Sequence, residues 1–265
     1  MNHADVIATI TETLRHHPSV RALFLSGSYA TGFDDAYSDI DFVLVTPEGA
    51  TDEIASLWRE AISKTGEIVL WWDRNVRPVL INAITEDWLR TDVVILKPDQ
   101  MGAHRQDALK PLFDHDQIYD TLPAKTAAPA PNPAYLRYQF EEFIRILGLL
   151  HLAAGREEYI NGVLGVFHLR NKLVDLLIAE TGARHRGGVL HLNRLITDAQ
   201  KEILTALPPP VATREQMIAG HLAYAKAYLP RARMLATKWG VDWPERFEAA
   251  TWAQLKKTLS IEKPY

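Results

Sequence analysis

The chain has 265 residues, 47% of them hydrophobic, which is long enough for two compact units with a core each. A formal net charge of −4, with no basic cluster longer than pieces such as Arg184 to Arg186, gives no pull toward a phosphate backbone, so nucleic acid is not expected as a partner. The absence of cysteine excludes disulfides, thiolate metal sites and cysteine nucleophiles, and any metal must be held by oxygen or imidazole.

Met1 to Thr11 has no basic segment followed by an apolar stretch, and no window approaches a membrane span, so a cytoplasmic protein without a membrane partner is expected. Val6, Ile7, Ile10 and Leu14 recur at helical spacing over 4–15, and the apolar run Arg21 to Leu25 reads as a strand entering a turn at Gly27 and Ser28. Ile40 to Val45 returns as a strand and Asp52 to Lys64 as an amphipathic helix. Glu67 to Trp72, Pro78 to Ile84 and Thr91 to Leu96 follow as three more strands. At least one of Trp71 and Trp72 is expected to face the core while the other is free to stack on a base or sugar, and core packing is the preferred reading for both. From Leu122 to Pro133 the composition is Pro-Ala-Lys-Thr-Ala-Ala-Pro-Ala-Pro-Asn-Pro, which cannot hold a helix and marks a semi-rigid linker. Beyond it Asn132 is an N-cap with Pro133 at the first helical position, ahead of the stripe Leu136, Phe140, Phe143, Leu147 and Leu150. Helical patterns fill the rest. The segment Tyr159 to Glu180 is apolar nearly all round, as in the central helix of a bundle, and carries one polar stripe of His168, Asn171, Lys172 and Asp175. That stripe reads either as a buried hydrogen-bond network between helices or as a ligand contact.

The chemistry concentrates in Leu25-Ser-Gly27-Ser28-Tyr29-Ala-Thr-Gly32 and, after it, Ser38-Asp39-Ile40-Asp41-Phe42. Side chains alternate along a strand, so Asp39 and Asp41 share one face, about 6.6 Å apart at the backbone, while Ile40, Phe42 and Leu44 take the other. Two such charges repel unless a cation lies between them. Oxygen-only ligands on a strand suit Mg²⁺, which keeps waters and takes one or two carboxylates plus phosphate oxygens. Gly27 permits close backbone approach, and Ser28 offers an amide and a hydroxyl to a phosphate. Asp92, at the head of Val93-Val94-Ile95-Leu96, is the candidate third carboxylate, since an unpaired charge there would be costly. The competing reading is a solvated residue paired with Arg90.

Gly27-Ser28, ten residues, then Asp39-Ile40-Asp41 resembles the signature of the DNA polymerase β-like nucleotidyltransferase superfamily. The resemblance implies an α+β architecture: an N-terminal mixed-sheet nucleotidyltransferase domain over 1–122, then an all-α helical bundle domain over 133–265. With a second domain of this kind the chain is similar to the aminoglycoside and lincosamide nucleotidyltransferases, which adenylylate antibiotics. The implied activity is transfer of a nucleoside monophosphate, AMP from ATP by family habit, onto a hydroxyl of a small molecule, with release of pyrophosphate. The implied cofactor is Mg²⁺, two ions held by Asp39, Asp41 and Asp92, with Gly27, Ser28, Tyr29 and Ser38 around the nucleoside triphosphate. Relatives that modify antibiotics use a glutamate outside the metal set as general base, and Glu142 is its match, beside Tyr138 and Arg145 on a helix face read either as lining a cleft or as plain solvated surface. Many members carry an arginine shortly after the Gly-Ser pair, where this chain has Tyr29-Ala30-Thr31. Lys97, Arg74 or a base of the helical domain is then expected to take over the phosphate contact. A protein side chain as acceptor, and a nucleotide-binding regulator with little chemistry, are the alternative functions.

Overall fold

The structure is a computed structural model that describes residues 1–74, 78–125, 132–183 and 191–265. The centre of the proline-rich linker, 126–131, and the basic piece Arg184 to Arg186 lie outside the described residues. The chain divides into two compact units, Met1–Ala127 and Ala128–Tyr265.

The first unit is built on a six-stranded mixed sheet. In chain order its elements are α1 (His3–Arg15), β1 (Ala22–Leu25), α2 (Gly27–Thr31), β2 (Ile40–Val45), α3 (Thr51–Ser63), β3 (Ile68–Asp73), β4 (Val79–Thr85), β5 (Arg90–Leu96), β6 (Lys110–Asp114) and α4 (Ile118–Thr121). The strand order is β3-β4-β5-β2-β1-β6, antiparallel throughout except for β2 and β5, which run parallel. Alternation along the strands gives the sheet two covered faces. Leu23, Leu25, Ile40, Phe42 and Leu44 pack under α1 and α3 with Val6, Ile10, Leu14 and Trp58. The indole of Trp58 meets Phe42 edge-on at 5.0 Å between ring centroids. Ala22, Phe24, Val43, Val45 and Leu96 pack on the other face with Met101, Leu109 and Ile118.

The strand β6 is not among those expected from the sequence, and it contains Pro111, which cannot donate to a ladder. It forms at the edge of the sheet, where a missing N–H is tolerated, and it pairs with β1 across a register shift between Leu23 and Phe24. Trp71 packs partly against the core, as expected, with the Arg59 guanidinium over its ring. Trp72 does not: it is 53% exposed and carries the Arg74 guanidinium on its face.

The second unit is all-helical: α5 (Pro133–Gly148), α6 (Leu150–Gly155), α7 (Tyr159–Thr181), α8 (Leu192–Leu195), α9 (Asp198–Ala206), α10 (Arg214–Lys238) and α11 (Glu245–Leu259). The Asn132 side chain accepts from the amides of Ala134 and Tyr135, with Pro133 in the first turn, as the sequence predicts. The stripe Leu136, Phe140, Phe143 and Leu147 is buried, and Phe143 stacks on Tyr228 of α10 with centroids 3.8 Å apart. The helices α7 and α10 approach closely because Gly162 has no side chain; a Cβ there would stand 1.9 Å from the sulfur of Met217. Two expectations for α7 fail. Ile160, Leu164 and Phe167 are exposed, so the helix is not apolar-covered all round, and His168 and Asn171 also face water, so the polar stripe is not a buried network. The helix packs chiefly on α10 and, less extensively, on α5 and α6.

Candidate active site

The parallel register of β2 and β5 sets Asp41 opposite Asp92, and neighbouring strands lie about 4.8 Å apart. Asp39, just before β2, belongs to the same side of the alternation. Carboxylate oxygens of Asp39, Asp41 and Asp92 consequently lie within 4.8 Å of one another, a separation at which one cation reaches all three. Asp92 is the third residue of β5 rather than its opening one. Asp41 has the same parity as Val43 and Val45, so it stands where that face of the strand changes from apolar cover to carboxylate. Burial, and then the charges of Asp39 and Asp92, push its pKa up to about 6 against the opposing pull of Arg90.

The turn beside the carboxylates is built for close approach. Ser26 donates its amide to the Asp41 carbonyl at 2.9 Å, and Gly27 follows at φ +57°. A Cβ on Gly27 would lie 2.0 Å from Oδ2 of Asp41, so only glycine leaves the carboxylate room. Ser28 keeps its hydroxyl buried with no hydrogen-bond partner. An orphaned hydroxyl next to clustered carboxylates is the arrangement that a phosphate oxygen on a metal would complete.

The remaining residues of the expected set divide. Tyr29 turns toward the α1 side, packs on the core and shares a 2.6 Å hydrogen bond with Nδ1 of His3. Ser38 accepts from the Asp35 amide at 3.0 Å and borders a recess of about 240 Å³ with His3, Tyr37, Asp39, Trp88 and Arg90. Tyr37 and Trp88 are largely exposed there. Lys97 is engaged with Glu48 at 2.5 Å, and Arg74 donates to Asn82 at 2.7 Å. The cation at the carboxylates is Arg90, whose Nη2 lies 2.6 Å from Oδ2 of Asp39 and not on Asp92. Sequence reasoning considered Arg90 only as a partner for Asp92. The signal that would have found it is its place two residues before Asp92, on the same face of β5.

Glu142 lies on α5 in the second unit, where Arg145 grips both its oxygens at 2.7 and 2.8 Å. Those hydrogen bonds hold it below the usual carboxylate range, against the effect of burial. It lines a cavity of about 480 Å³ with Arg145, Glu158, Asn161, His168 and His221.

No described helix is long and apolar enough to cross a membrane. Residues 7–89 match the family described as a nucleotidyltransferase domain. No curated protein sequence matches the chain. Among solved structures, an aminoglycoside 6-adenyltransferase from Bacillus subtilis is 12% identical, with 95% of each chain covered and a TM-score of 0.44. A nucleotidyltransferase-like protein from Exiguobacterium sibiricum is 13% identical, over 97% of this chain and 88% of that one, with a TM-score of 0.38. A cyclic dinucleotide synthase from Elizabethkingia meningoseptica is 14% identical, over 97% of this chain and 92% of that one, with a TM-score of 0.29. The matched residues include Gly27, Ser28, Asp39 and Asp41, and Asp92 lies just beyond them on β5.

Proposed function

We propose that the protein transfers a nucleoside monophosphate, AMP from ATP, to a hydroxyl of a small molecule and releases pyrophosphate. The observation that carries this reading is the meeting of Asp39, Asp41 and Asp92 beside a turn whose glycine admits no side chain and whose serine hydroxyl lacks a partner. Magnesium fits the donor set, which is all oxygen and crowded with negative charge. Asp39, Asp41 and Asp92 would hold it; when bound it supplies neutralisation of the phosphates and acidification of the attacking hydroxyl.

The chain's own residues do the rest. Ser28 donates its free hydroxyl to a phosphate oxygen, and Gly27 keeps the turn close enough for that contact. We assign Arg90 the phosphate contact that an arginine after the Gly-Ser pair makes in many members of the superfamily. It already stands at the site, 2.6 Å from Oδ2 of Asp39 and close enough to act on Asp41. On the acceptor side we assign Glu142 the proton of the acceptor hydroxyl. Its pairing with Arg145 lowers its basicity, so proton transfer requires that pair to loosen when acceptor enters. An aminoglycoside or lincosamide acceptor, and with it a role in antibiotic resistance, follows from the resemblance of the signature.

The experiment is mass spectrometry of reactions containing the protein, Mg²⁺, each of four nucleoside triphosphates and a panel of aminoglycosides and lincosamides, with Asp41→Asn as control. A nucleoside-monophosphate adduct absent from the control establishes transfer and names the acceptor class. Binding of Mg-nucleotide without any adduct would move the reading to a protein acceptor or a regulator.

A further inference from the structure

The cavity that Glu142 borders, of about 480 Å³, falls within the range of small-molecule sites, about 300 to 1,000 Å³. His221 of α10 belongs to its lining, although the residue is only 2% exposed. Its Nδ1 stands 2.8 Å from the Met217 carbonyl. A carbonyl only accepts, so Nδ1 carries the hydrogen, and in the neutral ring Nε2 is left with a lone pair. Burial lowers the pKa of the ring against the opposing effect of the Met217 hydrogen bond, which favours that neutral form. Nε2 has no hydrogen-bond partner among the described residues, yet it is not sealed from solvent. The opening is at Gly165 of α7, which shares the lining. A Cβ built on Gly165 would stand 2.9 Å from Nε2. Apart from Gly165, its chain neighbours and the α7 backbone, the heavy atoms of described residues within 4 Å of that point are Nε2 and Cε1 of the His221 ring. The missing side chain leaves open space within hydrogen-bonding reach of a lone pair that the chain itself does not use.

The rest of the lining is mixed. Ile146, Leu149 and Ala153 are apolar, and Asn161 and His168 are polar. Its formal charges cancel, Glu142 and Glu158 against Arg145 and Arg156, so it holds no excess of negative charge for a polycation. A hydroxylated ring joined to an apolar group matches both kinds of surface and brings the missing donor. We propose that this cavity binds an acceptor of that composition, with one sugar-like hydroxyl donating to Nε2 of His221, and that His221 is a specificity-determining residue of the acceptor site. This rests on the reading of Glu142 as the residue that takes the acceptor proton, and it selects a lincosamide over an aminoglycoside.

The test uses the full chain, isotope-labelled at its histidine ring nitrogens, without nucleotide or metal. The probes are lincomycin, a thiosugar joined to an apolar ring, and kanamycin, a polycation. NMR reads the ring nitrogens, with His221 assigned from the signals lost in His221→Gln and in His221→Phe. In the free protein the Nε2 signal should be that of an unprotonated ring nitrogen. Lincomycin should move it upfield in a saturable way, as accepting a hydrogen bond does, and kanamycin should leave it in place. His221→Phe, which keeps a ring and removes the acceptor, should weaken lincomycin binding in calorimetry at least about fivefold, as expected of one buried hydrogen bond. His221→Gln, whose amide oxygen accepts, should restore most of that affinity. If lincomycin does not bind the unaltered protein, or binds and leaves the Nε2 signal unmoved, water alone meets His221 and the proposal is overturned. Tighter binding of kanamycin than of lincomycin overturns the choice of acceptor class. Lincomycin bound at His221 but never converted to an adduct would refute the transferase reading and leave this site standing. An adduct on an acceptor that does not move the Nε2 signal would refute this site and leave the transferase reading.

Discussion

Asp41 in the first unit and Glu248 in the second are both carboxylates drawn out of water, and their surroundings treat them in opposite ways. Asp41 faces two more carboxylates, and burial with their repulsion raises its pKa to about 6. Glu248 is 2% exposed yet accepts from the Trp243 indole at 2.8 Å and the Tyr265 hydroxyl at 2.8 Å, and it is met by Arg233 at 2.5 Å and Lys263 at 3.0 Å. Burial on its own would raise its pKa, but the hydrogen bonds outweigh burial and push it down to about 2. A charge whose needs are met inside the chain stabilises the fold. Charges left crowded and short of cations cost stability, and a binding energy from outside the chain is what recovers it.

The comparison breaks most sharply at Asp41. Asp41→Asn should lower transfer about 1000-fold, because it removes a ligand from the charge-stabilising set, and should leave the melting temperature of the metal-free protein unchanged or higher. A melting temperature that falls with activity would make Asp41 a structural residue instead. Glu248→Gln should do the reverse and cost about 3 kcal/mol of stability in chemical denaturation, since it takes the buried counter-charge from Lys263 and leaves Arg233 paired with Glu245 only. The pH profile sharpens the same point. Glu248 has a folded pKa of about 2, below its unfolded value near 4.5, so its contribution is complete above the unfolded value. It should be lost as pH falls from about 4.5 toward 2, and Glu248→Gln should flatten that loss in acid unfolding curves. A smaller effect is expected at Arg90. Arg90→Met should tighten Mg²⁺ in the absence of nucleotide, by freeing Asp39, and should raise the KM for the nucleoside triphosphate about tenfold, by removing one charge-assisted contact. A variant that changed neither would leave Arg90 as a surface ion pair.

Much of this could be read along the chain because it depends on neighbours a few residues away. Alternation along Asp39-Ile40-Asp41-Phe42 decided that two carboxylates share a face and that Ile40 and Phe42 go to the core. Likewise Asn132 and Pro133 decided where α5 starts, through the geometry of a helix's first turn. Tertiary structure decided what depends on which distant segments become adjacent. The parallel register put Asp92 beside Asp41, and an edge position made a strand of Lys110–Asp114 despite Pro111. Packing left Trp72 in water, and Arg90 was matched to Asp39 rather than to its neighbour Asp92. It also closed five donors around Glu248, from Arg233, Trp243, Trp252, Lys263 and Tyr265. Periodicity reports the direction of a side chain from its own backbone, whereas burial and pairing are properties of the space between segments, and that space exists only once the sheet and the bundle have formed.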